Sequence, residues 1–105
     1  MDRQLRKGLL EFCVLAAIKD EDSYGYKMIE DISPYIDISE STLYPILRRL
    51  EVAGKVVSYN TEYNNRIRKY FHITEEGKSS LKEFDKDREE LVRVLEFISG
   101  GKMHE

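Results

Sequence analysis

Residues 41–51, STLYPILRRLE, bring Ser41, Thr42, Tyr44, Arg48 and Arg49 together in one short segment. Hydroxyls and free backbone N–H groups at the front of a helix bind phosphate. The same hydroxyls also reach base edges. An arginine pairs with a phosphate, or bidentately with a guanine edge. These groups suit gripping a charged backbone rather than breaking a bond. The plainer alternative is that Tyr44 and Pro45 pack on the preceding helix while the arginines only solvate a surface.

A second cluster follows about fifteen residues later. Asn64, Asn65 and Arg66 sit together, and Arg68 and Lys69 come just behind them. Amide donors and cations on a loop beside such a helix can follow a backbone or enter a minor groove. An edge hairpin kept soluble by its charges would carry similar residues. A basic tip following a basic helix favours the nucleic-acid reading.

No other chemistry is legible. The histidines are His72 and His104, and Cys13 is the single cysteine. That leaves no metal-ligand spacing, no nucleophile–base pair and no internal disulfide. There is no glycine-rich phosphate loop, so no enzyme activity, metal or cofactor is expected. Cys13 falls on an apolar helix face and reads as a small buried hydrophobe. Tyr24, Tyr26, Tyr35, Tyr59, Tyr63 and Tyr70 read as packing material in a chain without tryptophan.

The elements that carry these groups follow from periodicity. Leu5, Leu9, Phe12, Cys13, Leu15, Ala16 and Ala17 recur at spacings of three and four, a first helix ending near KDED. Ser23 is placed to cap a second helix whose apolar positions include Tyr24, Met28, Ile29 and Ile32, and Pro34 sets its end. Ser39 or Ser41 caps the third, whose Leu43, Ile46, Leu47 and Leu50 share a face, with Gly54 just beyond it. Pro45 costs about 3 kcal/mol deep in a helix and little in its first turn. With Ser41 as cap it lies just past that turn, and with Ser39 it lies deeper.

KVVSY and RIRKYFHI then read as two strands of a hairpin around the polar loop NTEYNN. Thr74 with Glu75 and Glu76 starts a last helix that runs to about Ile98. The order helix, helix, helix, hairpin, long helix is a mainly α winged helix-turn-helix with a C-terminal extension.

Charge agrees with this division. The chain of 105 residues has a net charge of −3, which looks unsuited to a polyanion. Residues 39–73, however, hold six basic and three acidic residues, whereas the segments on either side each carry −3. A phosphate backbone meets local charge, so the acidic ends mask a basic middle. No apolar run approaches the roughly 20 residues of a membrane span, and the first residues lack an export signal, so a cytoplasmic location is expected.

The last helix has its own pattern. Leu81, Phe84, Arg88, Leu91, Leu95 and Ile98 are spaced alternately by three and four, a heptad-like stripe with one charged interruption. A helix of about 25 residues spans ~37 Å, more than a small domain needs for itself. It is expected to pair with a second copy, with Leu5, Leu9 and Phe12 of the first helix beside it. The alternative is a helix folded back on its own domain.

Four stretches then resemble the PadR family of bacterial transcriptional regulators: GLLEFCVLAAI, YGYKMIEDI, STLYPILRRLEVAGKV and RKYFHITEEGKSSL. They occur in the family's order and span Gly8 to Leu81. The resemblance implies a dimeric winged-helix repressor on double-stranded DNA. Its third helix would enter the major groove, its wing would touch the backbone, and its first and last helices would form the dimer. It carries Thr42, Tyr44, Pro45, Arg48 and Arg49 onto the DNA-facing helix, and Arg68 and Lys69 onto the wing. Ser41 stands where the family usually has glycine, Lys27 where it has glutamate, and the wing lacks the customary Gly/Pro-rich turn. Some relatives take a small-molecule effector near the dimer interface, which here would involve Phe12, Phe84 or Phe97; the sequence identifies no effector.

The expectation is therefore a DNA-binding domain over residues 1–73 and a dimerisation helix with a short tail over 74–105. The chain would be a homodimeric repressor of a pseudo-palindromic operator. The rival is a winged-helix module that dimerises and binds protein instead.

Overall fold

The computed structural model describes residues 1–100. The expected tail, with Gly101 and His104, lies outside the described residues. Helix α1 (Arg3–Ala17) is capped by Asp2, whose carboxylate accepts from the backbone N–H groups of Gln4 and Leu5. A short strand β1 (Ser23–Tyr24) leads into α2 (Gly25–Ile32), and α3 (Glu40–Val52) follows. Strands β2 (Val56–Tyr63) and β3 (Arg66–Ile73) form the wing, and α4 (Glu75–Lys86) and α5 (Arg88–Ile98) close the described chain.

The core sits where α1, α2 and α3 meet the root of the wing. Leu10, Val14 and Leu15 of α1 pack with Met28, with the leucine face of α3, and with Val56, Phe71 and Ile73 from the strands. The leucine spacing of α3 therefore fixes which side of it stays exposed. Gly54 follows α3 with φ +76°, the left-handed position that glycine adopts without steric cost. Thr74 caps α4 by accepting from the Gly77 N–H, and its hydroxyl donates to the Gly54 carbonyl.

Three local expectations need correction, and one open alternative, the cap of α3, is decided. Ser23 does not cap α2: it belongs to β1, which pairs with Phe71 and Tyr70 of β3. Its hydroxyl is buried and has no partner among the described residues. The sheet is therefore three-stranded, in the order β1-β3-β2.

The polar loop NTEYNN is not a loop either. Pairing continues to Tyr63↔Arg66, so only Asn64 and Asn65 turn the chain, at φ 49° and 62°. Two successive left-handed residues match the twist of the flanking strands, and asparagine tolerates that conformation well.

The cap of α3 is Ser39, which puts Pro45 inside the helix as its sixth residue. Finally, the last helix is not continuous. Asp87, at φ −91° and ψ 5°, separates α4 from α5 in the middle of the charged run KDREE. Aspartate is a weak helix former, and no buried neighbour holds this turn straight.

Candidate nucleic-acid interface

The exposed side of α3 presents Ser41, Thr42, Tyr44, Pro45, Arg48 and Arg49, all on the surface as their spacing against the buried leucines requires. At the front end three hydroxyls meet. Ser39 Oγ lies 3.0 Å from Ser41 Oγ and 3.2 Å from Thr42 Oγ1. The Ser39 side chain therefore caps no backbone N–H and turns instead toward its neighbours. Pro45 has no N–H, so the Ser41 carbonyl one turn back lacks its helical donor. The first turn of α3 is left with polar groups that the helix itself does not use.

Tyr44 crosses from α3 to the start of α2. Its phenol covers the backbone of buried Gly25, and a β-carbon built there would lie 2.9 Å from Tyr44 Cζ. The residue is still 40% exposed. It both spaces the two helices and faces outward.

The two arginines behind it differ. Arg49 Nε donates to Glu11 Oε2 of α1 at 3.2 Å, and a terminal nitrogen of its guanidinium lies 3.1 Å from the same oxygen. Arg48 enters no salt bridge among the described residues. The expectation treated them as equivalent; the structure turns Arg49 toward the body.

Alternation along the wing separates its cations too. Arg66, Arg68, Tyr70 and His72 share one face of β3, and Lys69 shares the other with Phe71 and Ile73. The first face is a ladder of aromatic rings. Tyr59 stacks on Tyr70 with centroids 5.8 Å apart, and Tyr24 meets Tyr70 edge-on at 5.4 Å. The Arg68 guanidinium carbon stands 4.0 Å from the Tyr24 ring centroid and 4.6 Å from that of Tyr63.

At the wing's root, Asp22 accepts from the Tyr59 hydroxyl at 2.6 Å and lies 2.7 Å from His72 Nδ1. The Tyr59 hydrogen bond, with help from His72, holds the Asp22 carboxyl below its ordinary range despite some opposing desolvation.

A groove of about 630 Å³ joins these parts. Its lining comes from Tyr44 of α3, from Tyr24 and Tyr26 at the start of α2, and from Tyr63, Asn64, Arg66, Arg68 and Lys69 of the wing. The structure thus brings Tyr44 of the third helix and the wing to a single groove, while Ser41, Thr42, Pro45 and Asn65 do not line it. Arg48 and Arg49 lie farther along α3, outside this groove. Tyr24, Tyr26 and Tyr63 were assigned to packing in the sequence. Their place is legible only once the two-residue turn fixes which wing residues face each other.

The candidate dimer residues lie elsewhere. Phe12 and Phe84 stack on each other within the chain, centroids 4.3 Å apart. Leu5, Arg88, Leu91, Leu95 and Ile98 are exposed and Leu9 is half-buried, and no residue of α5 is buried. Cys13 is half-buried beside the core, and desolvation raises its thiol pKa, which keeps it neutral. Among the described residues no cluster of histidine, cysteine or carboxylate side chains is arranged to hold a metal. No helix among them is long and apolar enough to cross a membrane.

Comparison with known proteins bears on the family and the fold. The profile of the transcriptional regulator PadR-like family matches residues 14–83. Transcriptional regulator Rv3488 of Mycobacterium tuberculosis is 29% identical over 103 residues, covering 97% of this chain and 94% of its own. The crystal structure of a PadR-like transcriptional regulator from Bacillus cereus superposes with a TM-score of 0.80 at 28% identity, over 94% of this chain and 99% of its own. Bacillus subtilis PadR in complex with operator DNA shares the fold, with a TM-score of 0.68 at 20% identity over 72% of this chain and 46% of its own.

Proposed function

The chain belongs to the PadR-like family of transcriptional regulators, and from that premise we propose that it is a homodimeric, cytoplasmic repressor that binds a pseudo-palindromic operator in double-stranded DNA. The observation that carries the reading is the groove between Tyr44 and the wing. Its cations Arg66 and Arg68, like Lys69 on the other face of the wing and Arg48 farther along α3, enter no salt bridge among the described residues. Unpaired cations around a groove attract a polyanion and release its counterions on binding.

In this reading α3 enters the major groove. Ser41, Thr42 and Tyr44 approach base edges or flanking phosphates, Pro45 stiffens the front turn, and Arg48 takes a phosphate or a guanine edge. Asn64, Asn65, Arg66, Arg68 and Lys69 follow the backbone along the wing. Arg49 contributes mainly by fixing α3 to α1 through Glu11.

Residues 74–105 supply the dimer. Leu91, Leu95 and Ile98 of α5 form an uncovered apolar stripe, and Leu5 of α1 is exposed as well. A two-fold dimer presents two copies of α3 to half-sites about one helical turn apart. The same uncovered stripe is what would favour the rival reading, a module that binds another protein.

Titration onto labelled DNA from upstream of its own gene, with competitor DNA and at two salt concentrations, separates the readings. A dimer neutralising about six to ten phosphates loses roughly 10³–10⁵ in affinity between about 50 and 200 mM salt. Binding that is equally weak on every duplex, with little salt dependence, would overturn the repressor reading.

A further inference from the structure

We propose that Tyr24 and Tyr63 are positioning residues for DNA binding, which between them hold the Arg68 guanidinium at the groove beside Tyr44 with its N–H edge left for a phosphate. The proposal rests on the DNA-binding reading and extends it to two side chains that need not touch DNA themselves.

The geometry comes from two separate elements. Tyr24 belongs to β1 and Tyr63 to the end of β2, and their rings lie 4.0 and 4.6 Å from the same guanidinium carbon. A guanidinium carries its five N–H donors around its rim, while its faces have none. Rings that hold the guanidinium by its faces take none of its donors; the Tyr70 hydroxyl engages one of them, and no salt bridge among the described residues uses the rest. An unrestrained arginine on a strand must give up rotamer freedom when it grips a ligand. Arg68 has been largely ordered beforehand by cation–π contact.

The clamp also links the two halves of the interface. Tyr24 immediately precedes Gly25, whose backbone lies under Tyr44 of α3. Through Tyr24, the wing cation is thus referred to the frame that sets the recognition helix. A lysine at position 68 would keep the charge yet lack the flat faces that the rings hold.

A double-mutant cycle tests this on the full chain, using as probe a duplex that the wild type selects from a random-sequence pool. Tyr63 is the side to change because it is 53% exposed, and thermal unfolding of each variant checks that the fold is retained. Tyr63→Leu is expected to weaken binding roughly three- to tenfold, while Tyr63→Phe, which keeps the ring, stays near wild type. Arg68→Lys should fall close to Arg68→Ala. In the Arg68→Ala background Tyr63→Leu should cost nothing more, since the two residues act as a unit.

Additive losses, or wild-type affinity in Arg68→Lys, would overturn the clamp while leaving DNA binding intact. A wild type that selects no duplex would overturn the DNA-binding reading, and the clamp with it.

Discussion

Tyr44 closes over Gly25 so tightly that only a hydrogen atom fits beneath its phenol. The contact joins the helix that carries the candidate recognition residues to the first turn of the helix before it. Glycine at the first position of α2 is thus explained by its neighbour rather than by its own backbone angle. Gly25→Ala should push the outer end of Tyr44 aside. Because that end is mobile, and alanine favours helix, stability should change by no more than about 1 kcal/mol. DNA affinity should fall by roughly tenfold as Tyr44 leaves its place. Parallel measurement of thermal midpoint and affinity checks both halves; equal affinity would separate Tyr44 from recognition.

The adjacent arginines of α3 should behave differently. Arg48→Ala should weaken DNA binding and lower the slope of log affinity against log salt by about 1. Arg49→Ala removes the pair with Glu11, a partly exposed contact worth at most about 1 kcal/mol of stability, and should leave the slope largely unchanged. If both variants lose the same slope, the orientation of Arg49 toward α1 does not persist on DNA.

Asp22 gives a pH dependence of known sign. Its folded pKa lies below the ordinary carboxylate value, so its ionised form stabilises the fold. That contribution is fully present above the unfolded pKa of about 3.9 and disappears as the pH falls through the lower folded value. Asp22→Asn should therefore lose less stability than the wild type as the medium is acidified below about pH 4. Denaturant unfolding across that range reads the difference; parallel curves would mean that the Tyr59 and His72 contacts to Asp22 do not matter energetically.

The turn of the wing is open to improvement. Asn65 is held at φ 62°, and an Asn-Gly pair is the preferred sequence for a two-residue turn of this hand. Asn65→Gly should be neutral or stabilising, whereas Asn65→Ala should cost about 1 kcal/mol. Unfolding free energies of the two variants should lie on opposite sides of the wild type or bracket it closely.

Leu95 of α5 is 53% exposed and Ile98 is 71% exposed in the single chain. Leu95→Glu with Ile98→Glu should therefore disturb the fold of one chain little. If these residues bury against a second copy, sedimentation should show the wild type as a dimer and the double variant as a monomer with unchanged circular dichroism. An unchanged sedimentation coefficient would remove this stripe from the interface.

Much of this architecture was legible where a local rule had one strong outcome. Leu43, Leu47 and Leu50 fixed the buried face of α3, Gly54 marked its end, and Thr74 with its two glutamates marked the next start. The misses share a different cause. Ser23 and Tyr24 are extended because β3 lies beside them, a tertiary fact that no two-residue window carries. Asp87 interrupts a stripe whose apolar spacing runs on regardless, so periodicity saw one helix where the backbone makes two. Arg49 and Arg48 look alike in the chain, and only Glu11, 38 residues away, tells them apart. The tyrosines do pack on one another, as expected, but their convergence on Arg68 was not legible, because composition reports how many rings there are, not which face of a strand they share.

The single-residue joint at Asp87 separates two obligations that a continuous helix would tie together. No side chain of α5 is buried in the body, so that segment is free to drift in sequence without disturbing the core or the reading surface. If α5 pairs two copies as proposed, duplicated copies of such a gene would be able to stop cross-pairing through a few changes beyond the joint. In the proposed DNA-binding role their target sites would meanwhile diverge through changes on α3 and the wing, and neither innovation would have to wait for the other.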